Sequence, residues 1–130
     1  MSTLDIHPDA NSTTAIEGRF RIVEMDLWDQ DALDLVAPAF IHFERDDLGC
    51  FGFIAVEARM DCRPALKEDR PAVEFSWEGD DDGTPSCGRG WAALEADGSL
   101  RGHIYFHLGD DSWFRATRGG AATVEEPSAR

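Results

Sequence analysis

Positive charge is scarce in this chain. Lys67 is its only lysine, and twelve basic residues face twenty-six acids, for a formal net charge of −14. A surface of that sign repels the nucleic-acid backbone, and the arginines are scattered with no basic stripe, which argues against DNA or RNA as a partner. The bland reading of the acidity is solubility; the sharper one is an acidic docking surface or a nucleic-acid mimic. Long apolar runs are missing too. No window approaches the roughly 18 apolar residues that a membrane span requires, and residues 1–18 lack the basic start and apolar stretch of a secretory leader. Cysteine is limited to Cys50, Cys62 and Cys87, an odd number without close spacing. Cys50 and Cys62 share parity on what reads as one strand, too far apart to bridge. These absences together predict a reduced, soluble, cytoplasmic protein that involves neither membrane nor nucleic acid.

Catalytic signatures are absent as well. There is no Gly-x-Ser-x-Gly elbow, no phosphate-binding loop and no dinucleotide fingerprint. The acidic run 78–83 has the outline of a calcium loop, but its twelfth position is Arg89, where a bidentate Glu is needed. His103 and His107 stand four apart, which suits a shared metal on a helix but separates them by about 13 Å on a strand. Neither feature predicts a metal site, and nothing in the chain predicts a cofactor.

What is present is the alternation of β-structure. The most informative stretch is Glu95-Ala96-Asp97-Gly98-Ser99. Asp-Gly between two alternating runs signals a hairpin, with Gly98 in the left-handed conformation and Glu95 paired to Ser99. That register puts Gly88, Gly90, Ala92 and Leu94 on one face with Leu100, Gly102, Ile104 and Phe106. Arg89 and Trp91 join His103 and Tyr105 on the other. A one-residue slip would mix the two sets, so the pattern selects its own register. Pairing Glu78 with Cys87 extends the sheet and sets Trp77, Phe75 and Val73 opposite Gly88, Gly90 and Ala92, large against small. A turn at 109–111 would set Phe106 against Phe114 and Tyr105 against Arg115.

Further strands are predicted over 19–27, with a parity shift that suggests a bulge, and over 39–44, 50–63 and 72–78. Residues 29–36 read as a short helix with Asp29 as N-cap and with Leu33 and Val36 on its buried side. Sequential antiparallel strands of this number form a meander that closes to remove its edges. The fold class is therefore all-β: a small antiparallel up-and-down meander closing into a barrel or half-barrel. It makes a single domain over 18–118, between mobile tails at 1–17 and 119–130. The expected core is Ile54, Val56, Val73, Phe75, Trp77, Leu94, Ile104, Phe106 and Phe114.

The opposite face collects Glu74, Arg89, Trp91, His103, Tyr105, His107, Trp113 and Arg115. Trp, Tyr and Arg are the residues in which binding hot spots are enriched. The leading expectation is a non-catalytic interaction module that uses this face for self-association or for a protein partner. One alternative is a small-molecule-binding barrel with the same set lining an interior pocket. Another is an enzyme built on Glu74, Glu78, Arg89 and His107. The ordinary reading of the face, a solvent surface whose aromatics are covered by arginine stems, stands beside these.

The strings Trp77-Glu78-Gly79, Gly88-Arg89-Gly90-Trp91 and Phe106-His107-Leu108-Gly109-Asp110-Asp111-Ser112 resemble a group of uncharacterised short bacterial proteins, over roughly 18–118. That resemblance implies no activity. In overall pattern the meander is similar to the lipocalin and avidin class of small β-barrels, an architectural likeness only. Where lipocalins carry Gly-x-Trp, this chain has Gly18-Arg19-Phe20.

Overall fold

The computed structural model describes residues 16–118. They form a closed barrel of eight antiparallel strands in sequential order. The strands are β1 (Gly18–Met25), β2 (Phe40–Phe43), β3 (Leu48–Phe53), β4 (Val56–Lys67), β5 (Arg70–Asp81), β6 (Thr84–Leu94), β7 (Leu100–Phe106) and β8 (Asp111–Arg118). One short helix, α1 (Gln30–Leu33), lies between β1 and β2. Most of the expected tails at 1–17 and 119–130 falls outside the described residues. Ile16 is described, and it is fully buried. Among the described residues no helix is long and apolar enough to cross a membrane.

The hairpin at 95–99 forms as its sequence dictates. Glu95 N donates to Ser99 O (2.8 Å), Gly98 N donates to Glu95 O (3.0 Å), and Gly98 has φ +89°. The β6–β7 register follows, with Leu94 opposite Leu100, Gly90 opposite Ile104 and Gly88 opposite Phe106. The β5–β6 register likewise sets Trp77 against Gly88 and Phe75 against Gly90. The parity shift in β1 is a bulge, since the β1–β8 register slips between Ile22 and Glu24. Asp29 caps α1, its Oδ1 accepting from Ala32 N at 3.0 Å.

Four expectations are corrected. The stretch 50–63 is two strands, because the chain reverses at Ile54, which adopts φ +56°. Ile54 therefore sits in a turn, half-buried against the core, with its N–H donating to Leu33 O at 2.8 Å. Leu94 and Phe106 are also only partly buried, near the two barrel ends. Val36 lies beyond α1 and is exposed, leaving Leu33 as the helix residue that enters the core. The β7–β8 turn comes early: Leu108 takes the left-handed conformation, and Phe106 N donates to Asp110 O. Gly102, not Phe106, then faces Phe114, and Asp111, not Arg115, faces Tyr105. The displacement is even, so each side chain keeps its face.

The inside of the barrel is apolar and filled. Phe20, Phe43, Phe75, Phe51, Phe53 and Trp77 form a continuous chain of ring contacts with centroids 5.3–6.5 Å apart. Phe106 extends it, 5.1 Å from Trp77 and edge-on. Below them Trp28 packs on Phe53 at 5.5 Å, at the end where α1 sits. Asp34 ties that end together, accepting from Arg21 Nη2 on β1 (2.6 Å) and from Ala39 N just before β2 (2.8 Å).

Every hairpin from β2 to β8 carries a residue with positive φ at its turn, and several of these are not glycine. Leu108 is the clearest case, with φ +57° and a side chain 94% exposed. A left-handed L-residue costs roughly 1–2 kcal/mol, and this side chain recovers nothing by burial. Leu108→Gly is expected to stabilise the barrel by about 0.5–1 kcal/mol, the remainder going to the greater freedom of glycine in the unfolded chain. A denaturant midpoint that fails to rise would refute that conformation.

Candidate functional site

Because neighbouring strands are in register, outward side chains line up in rows around the barrel. One row runs Arg63, Glu74, Trp91, His103, Trp113 across β4 to β8. The next runs Asp61, Ser76, Arg89, Tyr105, Asp111. On the other side of the first, Arg101 faces Arg115, which faces Glu24. Arg59, Glu78 and Cys87 begin a fourth row, and His107 N donates to Cys87 O (2.8 Å) just past the end of β7. The structure thus brings Glu74, Arg89, Trp91, His103, Tyr105, His107, Trp113 and Arg115 onto one outer face. Alternation along each strand dictates this, since their neighbours Phe75, Ala92, Ile104 and Phe114 are buried inside.

The aromatic groups on this face are held by cations and by each other. Trp91 lies under two of them, Lys67 Nζ at 4.6 Å and the Arg101 guanidinium at 5.3 Å from the ring centroid. Arg101 is itself fixed by Glu95 (3.2 Å) and Glu68 (3.7 Å). His103 stacks on Tyr105 with centroids 4.5 Å apart, and its Nε2 meets Asp111 Oδ2 at 2.5 Å. The Arg89 guanidinium stands over the Tyr105 ring, 5.7 Å from its centroid. Arg115 pairs with Glu24 across the barrel seam at 3.3 Å. Trp113 remains 39% exposed, a large indole open to solvent on a face otherwise braced by ion pairs.

Two open grooves score this surface. One, of about 860 Å³, lies along Arg59, Ser76, Glu78, Arg89, Tyr105 and His107. The other, of about 570 Å³, lies between Arg63, Lys67, Glu74, Arg89 and Trp91. Glu78 and His107 line the first and Glu74 the second, while Arg89 borders both. Of the four groups in the enzyme alternative, Glu78, Arg89 and His107 therefore share one groove, and Glu74 lies in the other.

The cysteines separate by position. Cys62 points into the core, where burial above all, then the charges of Asp47 and Asp61, pushes its thiol up to about 12; it stays protonated and unreactive. Cys87 is exposed, and Cys50 is half-buried on the outer side of β3. All three are free thiols. Cys50 lies directly opposite His42 on β2, with Glu44 two residues further along on the same side. Sequence reasoning missed this trio. The available signal was His42-Phe43-Glu44 followed by a tight turn and Cys50, which becomes legible only once the β2–β3 register is known.

No protein-family model, curated protein or solved structure matches this chain.

Proposed function

We propose that this protein is a non-catalytic interaction module that engages another protein, in the first instance a second copy of itself, through the outer face of β5 to β8. The observation that carries the reading is the cross-strand row Glu74, Trp91, His103, Trp113, which sets two indoles and an imidazole side by side outside a barrel whose interior is already full. Charge supports it. On a chain of net charge −14, this face sets Arg63, Lys67, Arg89, Arg101 and Arg115 among Asp61, Glu74, Glu78 and Asp111, with Glu68 and Glu95 on Arg101 and Glu24 on Arg115. Further acid lies in turns such as 46–47 and 80–82, so two such faces meet with less repulsion than the whole molecule carries. A two-fold axis would place the acids of β4 and β5 in one copy against the arginines of β6 to β8 in the other. Since the barrel is closed, association has to use side chains on a face instead of a free strand edge.

The ligand-binding alternative rests on the likeness to the lipocalin and avidin class, which share an up-and-down barrel. With the interior occupied by Phe20, Phe51, Phe53 and Phe75, that reading moves to the outer grooves, whose volumes fall in the range of small-ligand sites. The free thiols fit the expected cytoplasmic setting.

Size-exclusion chromatography with light scattering tests the leading reading. The wild type is expected to run as a concentration-dependent dimer. Trp113→Ala is expected to weaken dimerisation at least about 30-fold, the effect of losing a hot spot worth roughly 2 kcal/mol. A strict monomer whose mass ignores Trp113→Ala would remove self-association.

A further inference from the structure

On the opposite side of the barrel from the aromatic face, β2 and β3 carry a second set of chemically active side chains. His42 and Cys50 are direct cross-strand partners, and Glu44 continues the same outward side past the end of β2. Glu44 N donates to Leu48 O (2.8 Å), which holds this residue in the hairpin register. One donor atom from each of the three lies within 4.8 Å of the other two. Cys50 Sγ lies 3.9 Å from Glu44 Oε2, to which it donates.

We propose that His42, Glu44 and Cys50 bind a divalent transition metal of the zinc class. Tetrahedral coordination with zinc–sulfur near 2.3 Å and zinc–oxygen near 2.0 Å sets sulfur and oxygen about 3.5 Å apart. Small side-chain rotations therefore close the site, with no change in the backbone. The donor set selects the ion. A thiolate, an imidazole and a carboxylate suit zinc and its borderline-soft neighbours, whereas calcium and magnesium demand oxygen throughout. Binding replaces the thiol proton, which leaves to solvent, by the metal. Three protein ligands leave the fourth position to water, the pattern of an open site.

The row also contains Arg19, opposite His42, and Arg59, opposite Cys50. Their charge opposes a dication, and their pull toward the thiolate is outweighed by burial and by Glu44, which hold the Cys50 thiol above its ordinary value until a metal displaces the proton. The Arg19 guanidinium is turned aside over the Phe40 ring, 4.0 Å from its centroid. The three ligands come from two adjacent strands of a closed sheet, so little backbone freedom is lost on binding.

Cobalt(II) is the probe, because a cobalt–thiolate bond gives a near-ultraviolet charge-transfer band and four-coordination gives intense visible bands. The full-length protein is expected to take up one equivalent with both signatures, and zinc is expected to displace it. Cys50→Ser should abolish the charge-transfer band, and His42→Ala and Glu44→Gln should each weaken binding more than about tenfold, the scale at which even outer partners of a ligand act. Cys87→Ser should change nothing. All four positions face outward, so circular dichroism should match the wild type. Failure to saturate, a band that survives Cys50→Ser, or a band lost in Cys87→Ser overturns the proposal. The association test uses the other side of the barrel, so either reading fails without the other.

Discussion

Phe51→Ala is expected to remove roughly 3–5 kcal/mol of folding free energy, a large part of the 5–15 kcal/mol that a domain of this size possesses. The Phe51 ring is 1% exposed. It touches Trp77 edge-on at 5.3 Å, stacks on Phe53 at 5.8 Å and meets Phe75 at 6.3 Å. A cavity left there has no ready way to collapse. The radius of a closed barrel is set by strand number and shear, so the sheet cannot draw in without breaking its ladder. The neighbouring rings come from β3 and β5, and each is held by a further ring: Phe53 by Trp28, Phe75 by Phe43 and Trp77 by Phe106. Urea unfolding, with the slope compared between variants, measures the loss. A cost under about 1 kcal/mol would mean that the interior is far looser than this packing implies.

The second large effect is the reverse substitution, adding atoms where the barrel has none to spare. Gly90 faces inward between Phe75 on β5 and Ile104 on β7. A Cβ there would sit 2.7 Å from Phe75 Cζ and closer still to His103 O. The ring is locked in the core, and the carbonyl belongs to the β6–β7 strand pair, so neither yields cheaply. Gly90→Val is therefore expected to cost about 3 kcal/mol, at the upper end of overpacking penalties. Gly109→Ala is the control. Its nearest neighbour would be Phe106 Cβ at 3.3 Å, and the expected change is within about 0.5 kcal/mol. If the two variants unfold at the same denaturant concentration, the large-against-small register of β5 to β7 is not what closes the interior.

That register was legible because the chain states it twice, in the Asp97-Gly98 turn and in the glycines set against Phe75 and Trp77. Parity carried the outer face as well, so the eight candidate side chains could be grouped before any coordinates. What escaped was the chemistry of the other turns. Ile54 and Leu108 occupy left-handed positions where glycine or asparagine is the usual signal, and a β-branched or apolar residue hides such a turn inside an apparent strand. The stretch 50–63 therefore read as one strand, and the β7–β8 pairing was set too late. For His42, Glu44 and Cys50, the turn between the strands at 39–44 and 50–63 is readable, but not its register, which sets Cys50 opposite His42. Their proximity depends on a turn through Asp46 and Asp47, both with positive φ, and no spacing rule along the sequence brings them together.

The seam between β1 and β8 has a consequence for how the chain reaches this state. All the other strand pairs join neighbours in sequence, so they can form as hairpins at small cost in loop entropy. The seam alone brings together residues as distant as Phe20 and Arg118. Folding should then resemble the rolling of a ribbon, with ring closure as the late and slow event. A closed ring also has no privileged starting point. If Gly18 and Arg118 were joined by a short linker and the chain opened between Asp82 and Gly83, every ladder would be kept, with β5–β6 no longer a hairpin. Such a permutant would make the β1–β8 pairing local and pass the slow closure to β5 and β6.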